Sequence, residues 1–251
     1  MTRSSPTPPR QHAILLIGPT GSGKTSFVKS LTKEHVEIVH GVRPSTSECQ
    51  AYMVEQEFAD GFTHFAIIDT PGFDASPELD SDLNTVEKIA RYLDKRDSEL
   101  KICGAIYFHR ITDKKFMGVA QTSLAISKSI CGEGFFPRVA AMTTMWDTID
   151  SAKYNDFEIL NEELDELDNG HLRLSETGPP IFKRLHDDEE SSREVLKHFA
   201  QLAKTEEAPE LALAMEWRKM RRNGRKQAVQ KTAAGKKIME KVSADRPCTI
   251  F

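Results

Sequence analysis

The apolar run His12-Ala-Ile-Leu-Leu-Ile17 leads without a break into Gly-Pro-Thr-Gly-Ser-Gly-Lys-Thr, Gly18 to Thr25. A buried strand that runs into a GxxxxGK(S/T) turn and then into helix-forming residues leaves few folds open. The glycines Gly18, Gly21 and Gly23 permit the tight curvature that turns successive backbone N–H groups, including those of Ser22 and Ser26, toward a phosphate chain. The start of the following helix adds its positive end. In such a loop Lys24 reaches the β- and γ-phosphates, and the Thr25 hydroxyl is a magnesium ligand.

The rest of the chain alternates in the same way. Apolar runs and breakers predict a strand at 12–17, a helix at 24–34, strands at 50–58 and 63–69 joined as an antiparallel hairpin, and a helix at 79–95. A strand at 102–109, a helix at 116–131, a strand at 138–144, an acidic helical stretch at 151–168, a strand at 180–185 and a helix at 190–204 follow. This pattern implies an α/β three-layer P-loop fold, its sheet mostly parallel with one antiparallel strand, followed by a C-terminal helical extension. The expected organisation is a disordered leader over 1–11, a nucleotide-binding domain over 12–206, a basic helical extension over 207–242 and a tail over 243–251.

Two further segments bear on phosphate chemistry. Asp69-Thr-Pro-Gly72 ends a buried strand, where the carboxylate can support magnesium and the Gly72 N–H can sense a γ-phosphate. The Ser45-Thr46-Ser47 cluster offers a hydroxyl that closes on the same metal in the triphosphate state, and Thr46 is the favoured choice. The catalytic set is therefore expected to be Lys24, Thr46 and Gly72, with Thr25, Thr46 and Asp69 around the metal. Strand 138–144 runs into Thr143-Thr-Met-Trp-Asp147. A carboxylate at that strand end can accept from the N1–H and N2–H₂ groups of guanine, so Asp147 would set the base.

GPTGSGKT, the threonine of TSECQ, DTPGFD and the TxxD motif together resemble the septin-related GTPases, closest to the immune-associated nucleotide-binding (AIG-type) proteins. The Tyr107–Asp113 run resembles a variant found among G-domain proteins of that kind. The resemblance covers about residues 12–204 and implies a G domain that binds GTP or GDP with Mg²⁺ and hydrolyses GTP. It also implies dimers that meet across the nucleotide faces, where residues of a second copy complete the site; His109, Arg110 and Arg43 are the candidates. The sequence departs from the family in three places. Met145 stands where a lysine stem usually covers the base, and a thioether can pack on a purine face instead. The segment after strand 180–185 reads FKRLHDD, with Arg184, Leu185 or His186 in position to close over the base. Phe73 stands where many switch GTPases place the glutamine that orients water, so intrinsic hydrolysis should be slow without a partner.

Charge is divided unevenly along the chain. From Trp217 onward eleven Lys and Arg face two carboxylates, about +9 out of a net −4, which leaves about −13 on the first 216 residues. The end Cys248-Thr-Ile-Phe251 fits the Cys-a-a-X pattern, with a terminal Phe that favours geranylgeranyl. One lipid chain binds only marginally, and a polybasic segment supplies the second signal. Residues 217–251 are therefore expected to meet an anionic membrane surface; nucleic acid is the lesser reading of the same charge.

The leader lacks the apolar core of a secretory signal and no stretch approaches the length of a membrane span, which predicts a cytoplasmic protein held peripherally on a membrane face. The four cysteines are widely spaced and suggest neither a disulfide framework nor a zinc site. Two other functions stay open: a GTP-dependent self-assembling scaffold with incidental hydrolysis, and a P-loop NTPase with weaker base choice.

Overall fold

A computed structural model of the chain describes residues 11–32, 46–58, 61–73, 79–113, 118–165, 182–183, 189–205, 208–223 and 229–244. Its centre is a sheet of β1 (Gln11–Ile17), β2 (Gln50–Phe58), β3 (Gly61–Asp69), β4 (Leu100–Arg110), β5 (Val139–Thr144) and β6 (Phe182–Lys183), in the order β2-β3-β1-β4-β5-β6. Only the β2–β3 pair is antiparallel, from Gln50↔Asp69 to Phe58↔Gly61. Strands β1 and β5 are buried almost throughout, with apolar runs Ala13–Ile17 and Val139–Met142, because a parallel sheet covered on both faces offers neither face to water. The expected α/β fold is the one observed.

Alternate residues of β1 divide the core. Ile14 and Leu16 pack with Phe27 and Val28 of α1 (Lys24–Leu31) and with Val195, Leu196 and Phe199 of α5 (Glu189–Thr205). Ala13, Leu15 and Ile17 face the other layer, which contains α2 (Leu79–Lys95) and α3 (Val119–Cys131). Helix α2 is amphipathic by spacing: Val86, Ile89, Ala90 and Leu93 recur three and four residues apart and are buried. A third cluster joins α4 (Tyr154–Asp165) to the carboxyl ends of β4 and β5 through Phe157, Leu164, Trp146 and Tyr107.

Differences from the sequence reading are mainly in extent. Helix α1 is described to Leu31, α3 begins at Val119, and β6 is described at Phe182 and Lys183. The acidic stretch opens with a 3-10 turn, Ser151–Lys153, before α4. The basic region folds as two helices, α6 (Ala212–Arg222) and α7 (Ala233–Ala244), packed on α2 and α3. Their apolar stripe, with Leu211, Leu213, Trp217 and Ile238, lies in the same cluster as Leu83 and Val86 of α2. Helix formers with apolar residues at this spacing bury their stripe on the nearest open layer, so the core continues past 206. Arg218 pairs with Asp97 (2.7 Å) and Glu210 (2.5 Å), and Arg221 with Asp94 (3.1 Å), which ties α6 to α2 by charge as well. No helix among the described residues is long and apolar enough to cross a membrane. The leader, the tail with Cys248, and Arg43, Ser45, Arg184, Leu185 and His186 lie outside the described residues.

Candidate functional site

The loop between β1 and α1 turns back on itself, with Gly18, Gly21 and Gly23 at φ 147°, 72° and 91°, a region that residues with a Cβ rarely adopt. Lys24 is buried, and its ammonium donates to the carbonyls of Gly18 (3.1 Å) and Pro19 (2.9 Å), which folds it over its own loop. Ser22 is buried beneath the loop and Ser26 is half-buried on the first turn of α1.

Asp69 lies at the carboxyl end of β3, beside β1, and is 1% exposed. Its Oδ2 accepts from the Thr25 hydroxyl (2.7 Å) and the Thr46 hydroxyl (3.1 Å), and the two hydroxyl oxygens lie 2.9 Å apart. Its Oδ1 is buried and has no hydrogen bond of normal geometry among the described residues. Burial pushes the Asp69 carboxyl above the usual carboxylate range, against the opposing pull of the two hydroxyls and the Lys24 charge. Two hydroxyls and a buried carboxylate with an unsatisfied oxygen form an all-oxygen donor set of the kind a hard divalent cation takes, so these residues fit magnesium. Thr25, Thr46 and Asp69, far apart in sequence, meet here. Lys88 of α2 supports them: its ammonium donates to the Ser47 carbonyl (2.6 Å) and pairs with Glu48 (3.0 Å). Lys88 was not a sequence candidate, since one lysine on an amphipathic helix reads as a solvated residue.

The segment after Asp69 is bound to the phosphate loop along its backbone. Thr70 donates its hydroxyl to the Leu16 carbonyl (2.7 Å), the Phe73 N–H donates to Gly18 (3.2 Å), and the Thr20 N–H donates to the Phe73 carbonyl (3.1 Å). Gly72 must be glycine here: a Cβ would come within 2.4 Å of the Thr20 Cα and 2.5 Å of its hydroxyl. The Phe73 side chain is fully buried in the α2-side core and turned to packing, in agreement with its inability to handle water.

Strand β5 approaches the loop from the far side. Thr144 donates its hydroxyl to the Ser22 carbonyl (3.0 Å), which brings the end of β5 against the loop. Thr143 donates to Asn161 of α4 (2.7 Å) and accepts from the Trp146 indole N–H (3.1 Å). Trp146 is thereby buried, with Tyr154 and the Lys183 ammonium 5.4 Å from its ring. The anchored tryptophan leaves Asp147 exposed on a short 3-10 turn that follows β5. Met145 precedes it at φ 66°, left-handed and non-glycine, and so is held by its neighbours.

Of the residues named as completing the site from a second copy, two are described. Arg110 ends β4, donates from Nη1 to the Thr20 carbonyl (3.4 Å) and pairs through Nε with Asp113 (3.1 Å), at the rim of the loop. His109 is 1% exposed, and burial lowers its pKa to about 4, so it is a neutral core residue. That takes His109 out of the candidate set: a side chain turned inward cannot reach a facing molecule.

Residues 13–123 match the sequence profile of a family described as 50S ribosome-binding GTPase. The matched stretch holds the phosphate loop, Thr46 and the Asp69–Gly72 segment, and the chain carries a GTP-binding GTPase domain. No curated protein matches the chain. Among solved structures, Toc33 from Arabidopsis thaliana in complex with Mg²⁺ and GMPPNP is 18% identical (TM-score 0.46), over 77% of this chain and 68% of that one. A dimerization-deficient mutant of the same protein is 17% identical (TM-score 0.46), over 94% and 86%. The bacterial selenocysteine-specific elongation factor EF-Sec is 15% identical (TM-score 0.46); 79% of this chain aligns, spanning 29% of the length of that chain.

Proposed function

We propose that this chain is a magnesium-dependent GTPase of the septin-related, AIG-like kind, slow alone and completed by a second copy or another partner. The observation that carries the reading is the convergence of Thr25, Thr46 and Asp69 beside the folded Lys24. With GTP on the loop, Lys24 leaves the Gly18 and Pro19 carbonyls for the β- and γ-phosphates, and the amides of the Gly18–Thr25 turn hold the chain of phosphates. Thr25 and Thr46 would hold magnesium, with Asp69 beside them; the bound ion supplies charge to the transferring phosphoryl group. Gly72 reads the γ-phosphate and Asp147 reads the guanine edge. Met145 covers one face of the base with a thioether instead of a lysine stem, which supports a guanine preference weaker than usual.

Phe73 supplies no group that can orient water. The position of Arg110 at the loop rim, held by Asp113, supports a site that a facing copy helps to complete. The test is GTP turnover as a function of Mg²⁺ and of protein concentration. Turnover per molecule that rises with concentration and vanishes with chelator supports the proposal. A rate per molecule independent of concentration removes the second copy from it.

The membrane part rests on the basic surface and the Cys248 ending. Arg218, Arg221 and Lys237 are paired with carboxylates, while Lys219, Arg222, Lys231 and Lys236 are exposed on α6, α7 and the turn before α7. These cations, with a prenyl group on Cys248, would hold the chain on an anionic cytosolic membrane face.

A further inference from the structure

Thr20 was not among the residues that the sequence marked, because the x positions of GxxxxGK(S/T) carry no requirement. Its surroundings are nevertheless defined on three sides. Its N–H is bonded to the Phe73 carbonyl (3.1 Å) and its carbonyl accepts from Arg110 (3.4 Å), so the backbone is held between the switch segment and the end of β4. Its side chain lies against Gly72, so closely that a Cβ on Gly72 would fall 2.5 Å from the hydroxyl oxygen. That hydroxyl is buried and makes no hydrogen bond. A buried, unsatisfied hydroxyl is destabilising and is uncommon in a packed region. The neighbouring Thr70 hydroxyl shows the ordinary outcome, a bond to the Leu16 carbonyl.

We propose that Thr20 is a catalytic residue of the GTPase reaction and that its hydroxyl takes over the water-orienting role that Phe73 cannot fill. The inference rests on the GTPase reading above. A hydroxyl offers one donor and two acceptor sites, enough to donate to a γ-phosphate oxygen and accept from the attacking water. The water oxygen then forms a bond to the γ-phosphorus as the bond from that phosphorus to the β–γ bridging oxygen breaks. The electron pair leaves on the β-phosphate of GDP, and the water protons pass to the phosphate released. Thr20 is neither consumed nor ionised; it holds the water in line. The position next to Gly72 suits this, because the same contact reports the γ-phosphate to the switch segment.

The test compares wild-type protein with Thr20→Val, which keeps the shape and removes the hydroxyl, and with Thr20→Ser, which keeps the hydroxyl. Single-turnover GTP hydrolysis and equilibrium binding of GDP and GTP analogue are measured for all three. The expected result is a fall of about ten- to hundredfold in the hydrolysis rate for the valine form, the worth of one hydrogen bond to a charged partner. GDP affinity should stay unchanged, and the serine form should recover most of the rate. Equal rates for valine and wild type, or a rate loss matched by an equal loss of GDP affinity, overturns the assignment. A serine form as slow as the valine form overturns it too. If the wild-type chain binds no GTP, the GTPase reading itself has failed. If it binds and hydrolyses GTP while valine is silent, only the role of Thr20 has failed.

Discussion

Replacing Trp217 by alanine tests whether the basic C-terminal region is part of the folded domain. The indole is 1% exposed and lies in one cluster with Leu83 and Val86 of α2 and with Leu213 and Ile238. Removing it takes roughly 200 Å² of buried apolar surface from the folded state, worth ~5 kcal/mol at about 25 cal/mol per Å². Residual burial in the unfolded chain lowers this by roughly 10–40%, to about 3–4 kcal/mol, in line with the range of about 3–5 kcal/mol for Trp→Ala in cores. Against a typical stability of about 5–15 kcal/mol the loss is large and easily read. Urea unfolding followed by far-UV circular dichroism should show one transition with a lowered midpoint in Trp217→Ala. A loss below about 1 kcal/mol, or a separate early transition for the C-terminal helices with the main one unmoved, would refute the shared core.

Three other outcomes follow from the geometry. His109 stays neutral in the fold down to about pH 4, while the unfolded chain protonates it near its ordinary 6.5. The unfolded state therefore takes up the proton first, and stability is lost as pH falls through that window, by about 3 kcal/mol for this group; urea titrations should show a shallower acid slope in His109→Gln. Thr144→Val leaves the Ser22 carbonyl without its 3.0 Å donor. Nucleotide titration should then show affinity weakened by about 1–3 kcal/mol, and unchanged affinity would mean that β5 does not steady the loop. Gly72→Ala places a methyl 2.4 Å from the Thr20 Cα. The switch segment and loop must then part, so GTP analogue affinity should fall well below that of GDP in the same titration, whereas equal losses would place Gly72 outside γ-phosphate sensing.

The parts of the fold that were legible in the sequence are those where one local signal suffices. Buried parallel strands read as apolar runs, and α2 reads by its apolar spacing; both appear within a few residues of their expected limits. The phosphate loop was legible because its glycines must take positive φ. Long-range facts were not. That Lys88 clasps the Thr46 segment, that Thr144 bonds the loop, and that Trp217 closes the α2 layer are meetings between elements distant in sequence, and each residue alone has an ordinary surface or strand reading. His109 misled because a histidine at a strand end next to an arginine suggests the surface, whereas β4 is covered on both faces from Cys103 through His109. Thr20 carried no signal, since only the folded loop brings its hydroxyl against Gly72.

The central claim is that Asp147 reads guanine beside a phosphate loop that works with Met145 in place of lysine. Competition of GDP, ADP and xanthosine diphosphate for a fluorescent nucleotide, on wild type and Asp147→Asn, tests it most directly. GDP should win on the wild type and the asparagine form should shift toward the xanthine nucleotide, because the amide donates where the carboxylate accepted. ADP competing as well as GDP, with no shift in the variant, would contradict it and leave a phosphate-binding loop with no guanine site.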